Sequence, residues 1–123
     1  MKKVLTLTFI AGLISLTTFG QPSPDLTKKW KIKGYIYLGM TFDPEENEKG
    51  DYLQFFENGT FKSLESGQLQ EGNWELRNHD QVLVLSQAGE PLEIEIVEFT
   101  ERELILLFEE DGESVKIKYG ADL

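Results

Sequence analysis

Apolar and polar residues alternate with a period of two along most of the chain after residue 28, which is typical of half-buried β-strands. In the first predicted strand, the inward face is expected to carry Trp30, Ile32, Gly34, Ile36 and Leu38. The outward face carries the intervening lysines together with Tyr35 and Tyr37. Seven further strands are predicted at residues 51–56, 60–65, 69–76, 81–86, 92–99, 103–108 and 114–119. The only predicted helical element is one turn over residues 24–28.

Short turns join most of these strands, so sequential antiparallel pairing is expected. Asn58-Gly59 predicts a tight hairpin with positive φ at both residues. The alternation slips at Ile96-Val97, which predicts a β-bulge there. Closing the meander would remove its two exposed edges. The predicted fold class is therefore all-β: a small eight-stranded antiparallel up-and-down meander closing into a β-barrel.

The first twenty residues have the three-part layout of a secretory signal peptide. Lys2 and Lys3 precede an uncharged stretch over residues 4–19, and the small residues Thr18 and Gly20 precede a cleavage site at Gln21. We therefore expect residues 1–20 to be removed. Residues 21–123 would form one exported domain, periplasmic or extracellular, with no membrane span in the mature chain.

Composition narrows the function classes further. The formal charge is −10, from 12 basic and 22 acidic residues, which argues against nucleic-acid binding because phosphate neutralisation needs a basic surface. The chain has no cysteine, so disulfides, thiolate metal centres and a cysteine nucleophile are excluded. The predicted strands are short and have charged outer faces, which favours a water-soluble barrel over an outer-membrane one.

Three sequence elements carry a family resemblance. A tryptophan opens the first strand after Leu26, residues 56–61 read F-x-x-G-T-F, and residues 72–76 read G-x-W-x-L. With the meander that continues to Tyr119, the chain resembles the lipocalin-like domains that are common in exported proteins of Bacteroidota. The resemblance implies a small barrel that holds an apolar ligand, and it supplies no catalytic residues.

Aromatic residues supply the candidates for a binding site. The candidate cavity-lining residues are Trp30, Phe61, Trp74, Phe99, Phe108 and Tyr119. An eight-stranded barrel is just wide enough either to be filled by such side chains or to hold one small ligand, so both alternatives stay open. By resemblance to lipocalin-type barrels, the long loop over residues 41–50 would act as a lid, with Met40 and Phe42 as its apolar contacts.

Polar residues offer no catalytic constellation. The single histidine, His79, lies in a predicted turn, and Glu93 and Glu95 are expected to point outward as alternation requires. The acidic residues of the long loop lack the spacing of a calcium-binding loop. We therefore expect no enzyme activity, no metal site and no cofactor.

Two functions remain in competition. The first is an exported, non-enzymatic, lipocalin-like barrel that binds a small hydrophobic ligand. The alternative is a packed barrel that acts through its outer surface, as an interaction module or inhibitor of another envelope protein. Residues 82–85 and 104–108 are apolar on both faces, which predicts an apolar outer wall including Ile105 and Leu107. A docked partner or a weak homodimer would cover this wall, as would the segment before Trp30 folding back over it or packing of the sheets as a flattened sandwich; of these the homodimer is favoured. Pairing of the first and last strands would also gather lysines on the outside.

Overall fold

One antiparallel sheet makes up the computed structural model, which describes residues 25–122. Its strands are β1 (Lys29–Tyr37), β2 (Met40–Phe42), β3 (Tyr52–Phe55), β4 (Thr60–Glu65), β5 (Gln68–Arg77), β6 (Val82–Gln87), β7 (Glu90–Phe99), β8 (Glu103–Glu110) and β9 (Glu113–Ala121). A 3-10 turn, Glu46–Glu48, lies between β2 and β3. The predicted signal peptide, residues 1–20, lies outside the described residues.

The sheet closes on itself because β1 pairs with strands on both of its edges. Along one edge it pairs with β9, and along the other it pairs first with β3 and then with β2. Eight strands, β1 and β3–β9, therefore form an up-and-down barrel, and the predicted fold class is confirmed. The short strand β2 is an addition to the predicted set. It forms because Leu38 and Gly39 both adopt positive φ, of 52° and 77°, in a two-residue turn.

The turns divide the barrel into two ends. The two-residue turns at residues 38–39, 66–67, 88–89 and 111–112 lie at one end, here called the open end, together with the loop over residues 43–51. The closed end carries the start of β1 and the turns at residues 56–59, 78–81 and 100–102.

The hairpin at Asn58-Gly59 is present, but the prediction of two positive-φ residues is wrong. Only Gly59 has positive φ, of 89°. Its N–H donates to the carbonyl of Phe56 at 3.0 Å, and the Asn58 carboxamide oxygen accepts from the N–H of Thr60 at 3.0 Å. The loop is thus a type I turn followed by a left-handed glycine, and the Asn58 side chain satisfies the backbone without entering the left-handed region.

Two β-bulges set which side chains enter the barrel. The predicted bulge is confirmed, since the β7–β8 register shifts between Ile96 and Glu98. A second bulge, absent from the sequence prediction, shifts the β1–β9 register between Ile32 and Gly34. Beyond it Tyr35 pairs with Ile117 on the inside.

This second bulge corrects the expected facing of the latter half of β1. Tyr35 packs against the core and, with Tyr37, lines the interior. Ile36 lies opposite Lys116, and Leu38 is 82% exposed. The prediction that Ile36 and Leu38 continue the inward face is therefore wrong.

The closed half of the barrel is filled by side chains. Trp30 is fully buried, meets Phe99 edge-to-face at 6.3 Å, and donates from its indole N–H to the Leu26 carbonyl at 3.0 Å. Leu26 is itself buried, at the entry to β1.

Residues 25–28 are not helical, so the predicted turn over 24–28 is wrong for its described part. The Asp25 carboxylate accepts from the Thr27 N–H instead.

The G-x-W-x-L motif has a direct structural role in this packing. Gly72 lies opposite Phe61, and a Cβ at Gly72 would lie 2.8 Å from the Phe61 ring and collide with the carbonyl oxygen of Ser86. Trp74 faces inward on the same side of β5, meets Phe55 edge-to-face at 5.4 Å and donates to the Phe56 carbonyl at 2.9 Å. Only glycine leaves room for this arrangement.

The expected apolar outer wall is covered within the chain. Val84 is 2% exposed, because Arg77 on β5 reaches across β6 to bind Glu93 on β7 at 3.3 Å while also binding Glu75 at 2.6 Å. The aliphatic stem of such a side chain shields the apolar residue beneath it.

Ile105, on the outer face of β8, is covered in the same way. It is 8% exposed and lies opposite Lys118, which binds Glu103 at 3.2 Å. The prediction that this wall exposes Ile105 is therefore wrong, whereas Leu107 is half-buried and lines the cavity. The homodimer stays a prediction.

The lysines gather on the outside as predicted. Lys31 is exposed on β1, while Lys116 and Lys118 lie opposite the second half of β1 on the neighbouring strand β9. Lys29 lies over the ring of Tyr52 at 4.1 Å. This acidic protein therefore carries a basic strip along the seam where the barrel closes.

Between residues 25 and 122, no helix is long and apolar enough to cross a membrane.

Candidate functional site: the cavity at the open end

A cavity of about 1120 Å³ occupies the open half of the barrel. Its apolar wall is formed by Ile32, Leu92, Ile94, Phe108, Val115 and Ile117. These residues come from β1, β7, β8 and β9, on the inward positions that alternation and the two bulges define. The cavity ends where the aromatic packing of the closed half begins.

The structure divides the sequence-predicted site residues between the two halves. Phe108 and Tyr119 line the cavity. Phe61 and Trp30 are buried in the closed-half core, and Trp74 and Phe99 pack against that core; none of these four lines the cavity. Of the two predicted lid contacts, Phe42 lines the cavity mouth, whereas Met40 is 60% exposed and lies outside it.

A gap in the barrel wall borders the cavity. The β7–β8 pairing starts at Phe99 and Leu104 and ends at Glu95 and Leu107. Beyond that point β7 pairs with β6 alone and β8 pairs with β9 alone. The unpaired edges, including Ile94 and Phe108, belong to the cavity lining. The cavity therefore opens at the barrel end and also sideways between β7 and β8.

The loop over residues 43–51 lies at the open end and is anchored to β1. The Asp51 carbonyl accepts from the Ile32 N–H at 3.1 Å, and the Asp51 N–H donates to the Glu48 carbonyl at 2.9 Å. The Glu45 N–H donates to the Glu48 carboxylate at 3.0 Å, which holds the 3-10 turn. Asp43, Glu45, Glu48 and Asp51 all line the cavity. The loop thus presents carboxylates to the mouth from a defined position.

Buried polar groups meet at the junction of this loop with the barrel wall. Burial, followed by a hydrogen bond with Glu48, raises the pKa of Tyr35. Burial also raises the pKa of Tyr119, and the nearby charge of Glu65 adds to that effect. The pKa of Asp51 is raised by burial and by the charge of Glu48, against the lowering effect of its hydrogen bond from the Ser66 N–H. Negative charge is therefore concentrated here in a weakly solvated place.

The arrangement of polar groups at the cavity does not favour metal binding. Within residues 25–122 no three carboxylates or imidazoles come close enough together to hold a metal ion. Two of the carboxylates already have protein partners, since Ser63 donates to Glu65 at 3.1 Å and Ser66 donates to Asp51 at 2.9 Å.

Of the residues rejected at the sequence level, His79 lies away from the cavity, whereas Glu93 and Glu95 border it where β7 separates from β8. His79 is exposed in the closed-end turn, with φ of 56°. Glu93 and Glu95 are exposed on β7, as predicted, and Glu93 binds Arg77. Their outward facing is the one that strand alternation requires.

Sequence reasoning misses Tyr35 and Tyr37 as site residues. Strict alternation places both on the outer face, because it takes no account of the bulge before Gly34. The available signal is the glycine itself, since an isolated glycine within a strand pattern often marks a bulge or a close backbone approach. A Cβ at Gly34 would lie 2.5 Å from the carbonyl oxygen of Phe42 in β2.

Comparison with known proteins agrees with this architecture. Residues 26–106 match the model of the family described as "Lipocalin-like domain". A lipocalin-like protein from Bacteroides uniformis has a similar structure, with a TM-score of 0.55 and 16% identity over 78% of this chain and 97% of that one. An uncharacterized protein from Bacteroides eggerthii gives a TM-score of 0.55 and 14% identity, over 79% of this chain and 99% of that one.

The two structural likenesses show the fold alone, because both identities are low. The chain matches no curated protein. The family match is of a different kind, since it covers most of the chain, from Leu26 before β1 to Leu106 within β8. This chain is therefore a member of the lipocalin-like domain family.

Proposed function

We propose that this protein is an exported, non-enzymatic barrel that binds one small ligand with an apolar body in its open half. The observation that carries the proposal is the division of the interior. Aromatic side chains fill the closed half, whereas the open half keeps a cavity of about 1120 Å³. Pockets that bury most of a small ligand have volumes of about 300–1,000 Å³, so the space suffices.

The wall of the cavity supports an apolar ligand body. Ile94, Ile117 and Phe108 come from three different strands and surround the same space. Burying the apolar surface of a ligand against such walls contributes about 25 cal/mol per Å². The gap between β7 and β8 supplies a second route of entry, at the side of the barrel.

Export and the absence of catalysis belong to the same proposal. The layout of residues 1–20 supports removal of a signal peptide, with the mature chain starting at Gln21 in the periplasm or outside the cell. In the described part of the chain no histidine, cysteine or lysine lines the cavity, which supports a non-enzymatic role. The protein would hold its ligand without changing it.

A cavity-filling substitution tests the proposal. Val115 lines the cavity, and Val97 lies 41% exposed at the β7 bulge, outside the cavity. We expect Val115→Trp to abolish binding of a neutral apolar probe, 1-naphthalenemethanol, measured by the change in its fluorescence. Val97→Trp is the matched control and should leave binding unchanged. Equal binding by both variants, with both still folded by circular dichroism, would refute the cavity as the site.

A further inference from the structure

The charges around the cavity are all of one sign. Eight carboxylates line it: Asp43, Glu45, Glu48, Asp51 and Glu65 at the mouth and upper wall, and Glu93, Glu95 and Glu109 on the edges of β7 and β8. No lysine, arginine or histidine lines the cavity in the part of the chain described, residues 25–122. The basic strip on β1 and β9 lies on the outer surface instead. A neutral or anionic ligand needs no such segregation of charge.

An independent observation lies deeper, at Tyr119. Its side chain lines the cavity and the residue is 7% exposed, yet its hydroxyl has no hydrogen-bond partner within residues 25–122. Buried hydroxyl groups normally have a partner. The charge of Glu65 and of Asp51 acts on this hydroxyl, as does the neighbouring Tyr35. An unpartnered phenol beside two carboxylates is therefore available to a polar group of a ligand.

Resting on the proposed function, we infer that the ligand of this cavity is a cationic amphiphile, an organic amine with an apolar body. Its ammonium group lies at the junction of Tyr35, Glu48 and Asp51, and its apolar part packs against Ile117 and Phe108. An ammonium group donates three hydrogen bonds and accepts none, which matches a site built from carboxylate and phenol oxygens. The rings of Tyr35 and Phe108 also suit a cation, because aromatic faces attract positive charge.

A bound metal ion does not explain the same charges. Metal ions need three or more ligands at short distances, and no such group exists among the residues that the structure describes. The carboxylates are instead spread around the cavity, over β4, β7, β8 and the loop over residues 43–51. Such a spread attracts a cation from solution, and two carboxylates at the Tyr35 junction would then hold it.

Three probes with the same apolar body test the inference. 1-Naphthylmethylamine is cationic at pH 7, 1-naphthalenemethanol is neutral and 1-naphthoate is anionic. Hydrogen bonds to charged groups contribute about 1.5–3 kcal/mol, so we expect the amine to bind at least about tenfold more tightly than the alcohol, since 1.4 kcal/mol corresponds to tenfold. The naphthoate should bind more weakly than the alcohol. Calorimetric titration of the full mature chain measures all three.

Substitutions of Glu48 and Asp51 then test where the ammonium group binds. Glu48→Gln and Asp51→Asn should each reduce the affinity for the amine to near that of the alcohol, while leaving the alcohol unaffected. The carboxamide introduced by Asp51→Asn keeps an oxygen that can accept from Ser66, so the turn is preserved. Glu57, exposed in the closed-end turn, supplies the control Glu57→Gln, which should change neither affinity.

The outcomes separate the inference from the proposed function. Binding of alcohol and amine with equal affinity in the wild type would overturn the cationic ligand and leave the apolar cavity site standing. Tighter binding of the amine that survives both Glu48→Gln and Asp51→Asn would also overturn the assignment of the charge to this junction. If none of the three probes binds, the proposed function fails and the inference fails with it.

Discussion

Tyr35 on β1 lies opposite Ile117 on β9, and both side chains line the cavity at the open end. This pairing depends on the bulge between Ile32 and Gly34, which turns the second half of β1 around. Without the extra residue, Tyr35 would face water. Ile36 would then enter the barrel, and the mouth would lose the phenol that meets Glu48. The one extra residue in the bulge, Lys33, therefore decides whether tyrosine or isoleucine side chains from β1 face the cavity.

Gly72→Ala should destabilise the barrel strongly. The added Cβ would collide with the Ser86 carbonyl oxygen and crowd the Phe61 ring, which lies 2.8 Å from that position. Overpacking of this kind costs about 1–3 kcal/mol, and each kcal/mol lowers the Tm of a domain this size by about 4–8 °C. Thermal unfolding followed by circular dichroism measures the shift. Gly50→Ala is the control, because a Cβ at Gly50 meets nothing within 4 Å; an equal Tm for the two variants would contradict the packing described.

Ile105→Lys should lower stability without changing molecular mass. Ile105 is 8% exposed beneath Lys118, so a lysine there would bring two positive charges together over a partly buried site. Placing an unpaired charge in such a site costs several kcal/mol. We expect a Tm decrease of at least about 10 °C, from the same scaling of Tm with free energy. Sedimentation equilibrium should give the same mass as the wild type. A wild-type dimer that becomes a stable monomer would instead show that Ile105 lies in a subunit interface.

Asp51→Asn should make the protein more stable at neutral pH. Burial raises the pKa of Asp51 above its ordinary value of 3.8, so the folded state holds the proton more tightly than the unfolded state does. The stabilisation that protonated Asp51 gives the folded state is therefore fully present below pH 3.8. It is lost as the pH rises through the raised pKa of the folded state. Above that range the substitution removes a poorly solvated charge and keeps the acceptor for Ser66.

The pH dependence of the Tm checks this prediction. The difference between Asp51→Asn and wild type should be positive at pH 7 and should vanish as the pH falls below 3.8. Asp111→Asn, in an exposed open-end turn, is the matched control and should show no such pH-dependent gain. A loss of stability at pH 7 in Asp51→Asn would mean that the carboxylate is well solvated or paired. If the stabilised variant also loses its preference for the amine, the wild type sacrifices stability for binding, as functional sites commonly do.

The alternation of residues is enough to predict the strands and the closed barrel, because every predicted strand has at least one apolar face. The bulge at Val97 is also predictable, since inward residues change from Ile96 to Phe99 and the shift is visible in the sequence. The bulge before Gly34 is not. There the residues on both alternating faces are large and apolar or aromatic, so Ile36 continues the inward pattern as well as Tyr35 begins a new one.

The covered outer wall escapes prediction for a different reason. Val84 is shielded by Arg77, whose partner Glu93 lies two strands away on β7. Such a contact depends on strand order and register rather than on local sequence. The cavity shares this difficulty, because its carboxylates come from a loop whose position depends on the hydrogen bond between Asp51 and Ile32. Sequence reasoning therefore predicts the barrel better than the chemistry of its open end.

Native mass spectrometry of the protein purified from its own source tests the central claim most directly. We predict the mass of a chain beginning at Gln21, together with a small noncovalent adduct that dissociates on activation. The same preparation of Val115→Trp should lack the adduct, because the cavity would be filled, whereas Val97→Trp should retain it. A bare chain in the wild type, or an adduct of equal abundance in Val115→Trp, would contradict a ligand held in the open half of the barrel.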